Sequence, residues 1–534
     1  MKRRERAQDS DQACQSGVVE LATDDAPVSG LENVDLRLVM PSQEAIGLVA
    51  EDVARALSAL PLAVQADGSV VIAVADPTAR TIAALERLVP TPVTFRAAAR
   101  DDLLRMIESS YRALGGITSQ VRLFEARDVL RKDTARADAT ATASDDAPVV
   151  QVVTMMISQA LRDRASDIHI EPQADRVRVR YRVDGALHDV LDLPGSMGPA
   201  LVSRVKIMAG MNIVERRRAQ DGQISTELED RPVDIRVSTA AVVGGEKLVM
   251  RLLDKSRPLF RLEQLGMPEG MATKYAALLR SPYGMVICAG PTGSGKTTTL
   301  YGSLSEINSP ERNIMTIEDP VEYTFASINQ IQINEQAGIT FAGGLRSILR
   351  QDPDIILVGE VRDVDTARIA VQSALTGHFV LSSLHATDTA SALHRLIDMG
   401  IETFLVASSV TAVLSQRLVR RVCTYCRETY QPGAEEFAFL NAVGGQVPTT
   451  GFVRGAGCNF CANTGYLERI GVYELMPVTD SIRELVVERA THDDIRKLAR
   501  AEGMSTLLEH AVGLIGAGIT TVAEVMRAIY VVGV

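Results

Sequence analysis

Residues 290–297 read Gly-Pro-Thr-Gly-Ser-Gly-Lys-Thr. They match the phosphate-binding pattern G-x-x-x-x-G-K-[ST] at every fixed position. The flanks give the match its meaning. Ahead of it, Gly284-Met-Val-Ile-Cys-Ala289 is a short apolar run suited to a buried strand. Behind it, Thr298, Thr299, Leu300 and Tyr301 can open a helix. A strand, a glycine loop and a helix N-terminus together make an anion cradle. Backbone N–H groups of Gly293, Gly295 and Lys296 would meet phosphate oxygens, and the helix dipole favours that charge. Lys296 would reach the terminal phosphates, and the Thr297 hydroxyl would hold Mg²⁺. The expected nucleotide-binding set is Gly290, Pro291, Thr292, Gly293, Ser294, Gly295, Lys296, Thr297 and Thr298. A chance glycine-rich turn would lack the flanking strand and helix.

Three stretches downstream extend this centre. Thr316-Ile-Glu-Asp-Pro-Val-Glu322 places Glu318, Asp319 and Glu322 at the end of a strand led by Ile314 and Met315. Such carboxylates can hold Mg²⁺ waters or polarise the attacking water; an exposed acidic turn has the same charge pattern. Asp354-Ile-Ile-Leu-Val-Gly-Glu360 runs four apolar residues into an acid. Ligands of open parallel sheets sit at the carboxyl ends of strands, which makes Glu360 the candidate to orient Mg²⁺ or water. Thr376-Gly-His-Phe-Val-Leu-Ser-Ser-Leu-His385 brackets a strand with His378 and His385. Histidines at strand ends are commonly structural, but beside Glu360 they could sense the γ-phosphate.

A chain of 534 residues holds several domains. The formal charge of -11 counts against generic nucleic-acid binding, which needs a basic surface. No apolar stretch is long enough to span a bilayer; Phe404 to Leu414 is short and carries Ser and Thr. The N-terminus has charge but no apolar h-region, so a cytosolic location is expected.

Residues 1–30 are polar and acidic, with the composition of a disordered segment. Residues 31–115 suggest a small α/β domain: Val70 to Val74 is a buried strand behind an Asp67-Gly68 turn, and 78–89 and 100–111 have helical patterning. Residues 116–147 are taken as a linker, because Lys132 to Ala147 holds almost nothing apolar beyond alanine. A second domain spans 148–254. It has an amphipathic helix at 149–161 and two alternating strands, Asp167-Ile-His-Ile-Glu171 and Val177-Arg-Val-Arg-Tyr-Arg-Val183. Arg178, Arg180 and Arg182 share a strand face with no carboxylate partner at matching spacing. Such a row repels itself unless an anion approaches. Glu215-Arg-Arg-Arg218 ends an expected helix. The nucleotide-binding core runs from 262 to 534.

Cys423-x-x-Cys426 and Cys458-x-x-Cys461 form a paired C-x₂-C pattern with 31 residues between the pairs. Two such hairpins supply four thiolates for tetrahedral Zn²⁺. Gly457, Gly465 and Tyr466 flank the second pair, as tight knuckles need. Redox-active or unpaired thiols are the alternatives. Cys288 lies in the core strand and reads as packing; Cys14 is left over.

In this order, the motifs resemble those of the secretion ATPases of type II secretion and type IV pilus assembly. The resemblance covers roughly Leu31 to the C-terminus. It rests on the phosphate loop at 290–297, an Asp box at 316–323, a Walker B segment at 351–363 and a His box at 376–400. Ala165-Ser-Asp-Ile-His-Ile-Glu-Pro172 and Val179-Arg-Tyr-Arg-Val-Asp-Gly185 are similar to the family's second-domain signatures. Ala219 departs from the family's usual proline. The resemblance implies an α/β fold: a RecA-like P-loop core, a PAS-like second domain, a small N-terminal α/β domain that docks a cytoplasmic partner, and a zinc module at 419–467. It also implies a homo-hexamer working on an inner-membrane platform protein at the inner face of the cytoplasmic membrane. Its cofactors would be ATP, Mg²⁺ and Zn²⁺, with Arg182 and Arg204 reaching the phosphates from the second domain. A tetracysteine module marks assembly motors in this family, whereas retraction motors lack it. No Arg-Leu-Gly pair of the kind some relatives use for cyclic di-GMP is present. The rival readings are a retraction ATPase, a nucleic-acid translocase on the same core, and a zinc-stabilised scaffold with a degenerate nucleotide site.

Overall fold

The computed structural model describes residues 30–37, 39, 41–111, 117–133, 148–228, 231–254, 261–443, 451–461 and 464–529. The expected disordered N-terminus and the stretch 134–147 lie outside these. The chain divides into two compact units, Met1–Tyr111 and Arg112–Val534.

In the first unit, β1 (Ala59–Val64) pairs antiparallel with β2 (Val70–Val74), and β2 pairs parallel with β3 (Val93–Ala97). Helix Ala79–Leu88 makes the β2–β3 crossover, capped by the Thr78 hydroxyl on the Thr81 N–H. Helix Arg100–Ser110 follows β3. The small α/β domain expected here is present.

The second unit opens with helix Ile117–Asp133, inside the stretch expected to be a linker. Ile117 is buried against the following helix, Pro148–Arg162, and Val121 and Phe124 pack on the same cluster. Apolar residues spaced by helical turns therefore anchor a segment that its polar composition suggested was loose. The strands β4 (Asp167–Pro172), β5 (Arg176–Val183), β6 (Ala186–Pro194), β7 (Gln220–Leu228), β8 (Arg231–Val242) and β9 (Gly245–Asp254) form an antiparallel sheet of order β6-β5-β4-β9-β8-β7. Strict alternation sorts its two faces. Ile168, Ile170, Val179, Tyr181, Ile235 and Met250 face a core shared with helices Pro148–Arg162 and Gly198–Met208. The charged residues of β4 and β5 line the other side. The helix expected to end at Arg218 stops at Met208. Residues 215–218 form a loop in which the Glu215 carboxylate accepts the N–H groups of Arg217 and Arg218.

The remaining residues build a seven-stranded sheet of order β12-β11-β13-β14-β10-β15-β18. Its strands are β10 (Gly284–Ala289), β11 (Ile314–Glu318), β12 (Asn329–Gln332), β13 (Ile355–Val358), β14 (Phe379–Leu384), β15 (Val410–Val422) and β18 (Tyr466–Pro477). All pairings are parallel except β15–β18. Every residue of β10, β11, β13 and β14 is buried. Their mostly apolar runs suit a sheet covered on both faces, and the polar residues among them, Thr316, Glu318, Ser382 and Ser383, are buried too. Met285, Ile287, Ile356 and Val380 enter one core cluster, and Val286, Cys288, Leu357 and Leu381 enter the other. The short antiparallel pair of β16 (Arg427–Thr429) and β17 (Val453–Gly455) belongs to the cysteine module.

Candidate active site

Parallel pairing brings the carboxyl ends of β10, β11, β13 and β14 to one edge. The phosphate loop leaves β10 there and enters helix Lys296–Ile307. Gly293 and Gly295 take φ values of +76° and +86°, the left-handed region open to glycine. At Gly290 a Cβ would lie 2.7 Å from the carbonyl oxygen of Gln416, so this glycine is required by close approach. The Lys296 ammonium donates to the carbonyls of Gly290 (2.9 Å) and Pro291 (3.0 Å). Burial lowers its pKa, with the nearby Arg417 acting in the same direction. Phosphate oxygens can take over these two contacts.

Glu360 follows β13 and faces the same edge. It pairs with Arg362, and His385 Nε2 lies 3.4 Å from its carboxylate. Neighbouring β13 and β14 bring the two together: Ser383 Oγ donates to Gly359 O at 2.8 Å, and Val361 N–H to Ser383 O at 3.0 Å.

His378 is elsewhere. It precedes β14, so the whole strand, about 20 Å at ~3.3 Å per residue, separates it from His385. Its Nδ1 contacts Ser373 O, where it closes the C-terminal turn of helix Val364–Leu375. It cannot sense a phosphate at the other edge. A flanking pair in sequence becomes a pair at opposite ends of a strand.

The Asp-box acids divide the same way. Glu318, the last residue of β11, is 3% exposed and saturated with donors. Tyr301 Oη donates to it, as do Thr316 Oγ1 and Gln330 Nε2. Glu322 stands in the loop beyond, where Arg236 of β8 approaches its carboxylate at 3.3 Å. The approach is an ion pair without hydrogen-bond geometry, since Glu322 Oε2 is buried and has no hydrogen-bond partner. Gln223, Asp234 and Arg236 of the second domain face Pro320, Glu322 and Tyr323 across a cavity of about 460 Å³.

The arginine row of β5 does have carboxylate partners, on the next strand. β4 lies antiparallel to β5 with Asp167 opposite Arg182 and Glu171 opposite Arg178. Glu171 accepts from Arg178 (3.1 Å) and Arg180 (2.7 Å), and Lys247 of β9 lies 2.9 Å away. Burial pushes the Glu171 carboxyl up, but the contacts to Arg180, Lys247 and Arg178 outweigh it and hold it at about 2. Arg182 lies 3.7 Å from Asp167 and donates to Gly185 O at 2.9 Å. Arg204 is on helix Gly198–Met208, which packs on the apolar side of the sheet. Arg182 and Arg204 therefore stand on different sides of their domain.

The four cysteines converge. The sulfurs of Cys423, Cys426, Cys458 and Cys461 all lie within 4.8 Å of one another. The N–H groups of Cys458 (3.2 Å) and Gly465 (3.3 Å) point at Cys461 Sγ. The Cys423 thiol, followed by these amides, holds the Cys461 thiol well below the usual range, and the same pairing pushes Cys423 up. Four converging sulfurs supported by amide donors fit a tetrahedral metal.

Residues 142–527 match the family described as type II/IV secretion system protein, and residues 29–117 match the MshEN domain. The chain belongs to the type II/IV secretion system protein family. It is 46% identical to the type II secretion system protein HxcR of Pseudomonas aeruginosa, over 82% of this chain and 90% of that one. It is 39% identical to the type IV pilus assembly ATPase PilB of Myxococcus xanthus, over 93% of this chain and 88% of the relative. The ATPase DotB of Legionella pneumophila covers 70% of this chain with a TM-score of 0.52 at 20% identity; that likeness speaks to the fold alone. The fold is thus the expected α/β one with a RecA-like core, and this secretion-family protein is an ATP-hydrolysing enzyme. Among the described residues, no helix is long and apolar enough to cross a membrane.

Two contacts of this ATPase carry no sequence signature. Gln416, from β15, donates to Ser294 O inside the phosphate loop at 2.6 Å. Arg236 reaches the Asp box from another domain. Neither lies near a motif: strand pairing brings in Gln416, and packing of the two sheets' domains brings in Arg236.

Proposed function

We propose that this protein is a homo-hexameric, Mg²⁺-dependent ATPase that powers assembly of a type IV pilus or a type II secretion pseudopilus. It would act on an inner-membrane platform protein from the cytoplasmic face, with the N-terminal domain docking a cytoplasmic partner of the machinery. The observation that carries the reading is the intact catalytic edge: Lys296 on the phosphate loop after β10, with His385 and Glu360 beside each other past the ends of β14 and β13, the next two strands on one side of it. A degenerate scaffold would have lost one of these groups.

In this reading Thr297 Oγ and Glu360 would hold Mg²⁺, which neutralises charge on the phosphates when bound. Lys296 binds the β- and γ-phosphates, and His385 orients Glu360. Glu322 polarises the attacking water, because its carboxylate is less committed than that of Glu318. The second domain caps the nucleotide with cationic side chains. Arg236 already stands at the Asp box, whereas Arg182 and Arg204 would reach the phosphates only as the domain moves. The four cysteines would hold one Zn²⁺, the feature that favours an assembly motor over a retraction motor.

The test is in the native host. Replacing the chromosomal copy with a Lys296→Ala allele should abolish surface filaments or secretion of the exported protein, while the variant accumulates to normal levels. Intact filaments and secretion, with DNA-stimulated hydrolysis by the purified wild type, would favour the translocase instead.

A further inference from the structure

Gln416 has no assigned role, yet it is 1% exposed directly under the phosphate loop. β15 runs parallel to β10 with Ser415 opposite Ala289, so Gln416 lies one residue beyond the end of the P-loop strand. Its backbone and side chain both meet the loop. Its carbonyl sets the close approach at Gly290, and its Nε2 would lie 3.1 Å from a Cβ on Gly295.

The side-chain amide is held at both ends. Cys288 Sγ–H donates to Gln416 Oε1 at 3.3 Å, and Gln416 Nε2 donates to Ser294 O at 2.6 Å. Burial pushes the Cys288 thiol up to about 12, so it stays a donor. A thiol at one end and a carbonyl at the other leave one orientation for the amide: oxygen towards Cys288, nitrogen towards Ser294.

That contact has a consequence at the next atom. The peptide unit is planar and trans, so the C=O of Ser294 and the N–H of Gly295 point in opposite directions. Pulling the carbonyl down onto Gln416 turns the Gly295 N–H away from the sheet, to the side where a phosphate sits in a glycine loop. Gly295 has no side chain to hold that plane, and at a φ of +86° its backbone has wide freedom.

We propose that Gln416 is a positioning residue of the ATPase site, which aims the Gly295 amide at the nucleotide phosphates by anchoring the Ser294 carbonyl. It touches no substrate and acts through one peptide plane. The proposal rests on the phosphate loop binding nucleotide, and ADP is the suitable probe because its phosphates occupy the loop without turnover.

Two variants of the full chain test it. Gln416→Met keeps an unbranched side chain of similar size and removes the donor. It should weaken Mg·ADP binding about tenfold, the loss expected of one well-aimed hydrogen bond, measured on protein whose circular dichroism shows it folded. Gln416→Glu sets an acceptor against the Ser294 carbonyl at pH 8, but once protonated its O–H can donate there again. Its ADP affinity relative to wild type should be low at pH 8 and recover towards pH 5.5. A glutamine that only fills the core would leave the ADP affinity of folded protein intact and show no recovery with pH. A folded Gln416→Met variant with wild-type ADP affinity overturns the proposal. Should that variant fail to fold, the absence of pH-dependent recovery in Gln416→Glu overturns it equally.

Discussion

Lys296 spans two loop carbonyls, and its removal separates binding from support. Lys296→Ala loses the charge-assisted contact to the phosphates, and hydrolysis should fall by at least about 10²-fold. Purified protein should keep its circular dichroism and its assembly state, and a variant retaining most of its turnover would remove Lys296 from the site. At this scale, what could be read from sequence was whatever is contiguous. The phosphate loop, Glu360 and the cysteine pairs each lie in one short run whose spacing fixes the chemistry. The row of Arg178, Arg180 and Arg182 stands in a strand that holds no acid. The same alternation in Asp167-Ile-His-Ile-Glu171 puts two acids on the facing strand at matching register. Pairing the two strands as a hairpin would have supplied the partners. His378 and His385 look alike in sequence and differ because strand direction decides which end faces the nucleotide.

Elements hold the site through a few buried polar groups. Glu474 of β18 is 2% exposed and accepts from Thr389 N–H at 3.1 Å and Leu507 N–H at 3.2 Å. These amides begin helices Thr389–Asp398 and Leu507–Gly516, so one carboxylate caps two helix N-termini. Glu474→Leu leaves both sets of amides without an acceptor and should cost the core about 2–4 kcal/mol, read as a lower denaturant midpoint for the second unit. Next to it, His492 Nε2 meets Asp388 at 3.0 Å and ties helix His492–Ala501 to the His-box helix. Burial lowers the His492 pKa, but the Asp388 hydrogen bond and charge raise it further, for a net rise. Burial raises Asp388, but Ser391 and His492 lower it further. The histidine's contribution is complete below its unfolded pKa, near ~6.5, and is lost as pH rises through the folded value. The aspartate's is complete above ~3.9 and is lost as pH falls through its own folded value. The thermal midpoint difference between wild type and His492→Gln should thus be larger at pH 6 than at pH 8.5; an equal difference would show that the pair adds nothing. The cysteine module divides similarly. Phe439, Leu440 and Phe452 are buried against Val419, Val472 and Ile515, packing that composition alone did not suggest. If the thiols hold zinc, purified protein should carry about one Zn²⁺ per chain, and Cys458→Ser should lose it. Disorder should then be confined to the two cysteine knuckles and spare the helix Ala434–Val443. A metal-free wild type with reversible disulfides would support the redox alternative.

Among the described residues of the second unit, polar contacts join the second domain to the core at two places. At one, Asp184 accepts from Glu468 N–H at 3.1 Å, with Arg469 at 3.7 Å from its carboxylate. At the other, Arg236 reaches Glu322. No periodicity or motif forecasts either contact, because each joins residues from different domains. The two have different consequences for catalysis. The Asp184 contact lies against β18, on the far side of the sheet order from the Asp box, and its loss should loosen the domain without touching the phosphate edge. Arg236 bears on a carboxylate of that edge. A guanidinium there can be redirected as charge develops on the γ-phosphate. Arg182 is already bound to Asp167 and the Gly185 carbonyl. Arg236→Ala should therefore cut turnover about tenfold or more while changing ADP affinity far less, because ADP lacks the phosphate on which charge builds. Arg182→Ala should have the smaller effect on turnover. The double variant Arg236→Ala/Glu322→Ala should be no slower than the slower single one, the non-additivity expected of residues that act together. Additive losses would mean that the two serve separate steps. Equal loss of turnover and ADP affinity in Arg236→Ala would mean that the arginine only braces the fold.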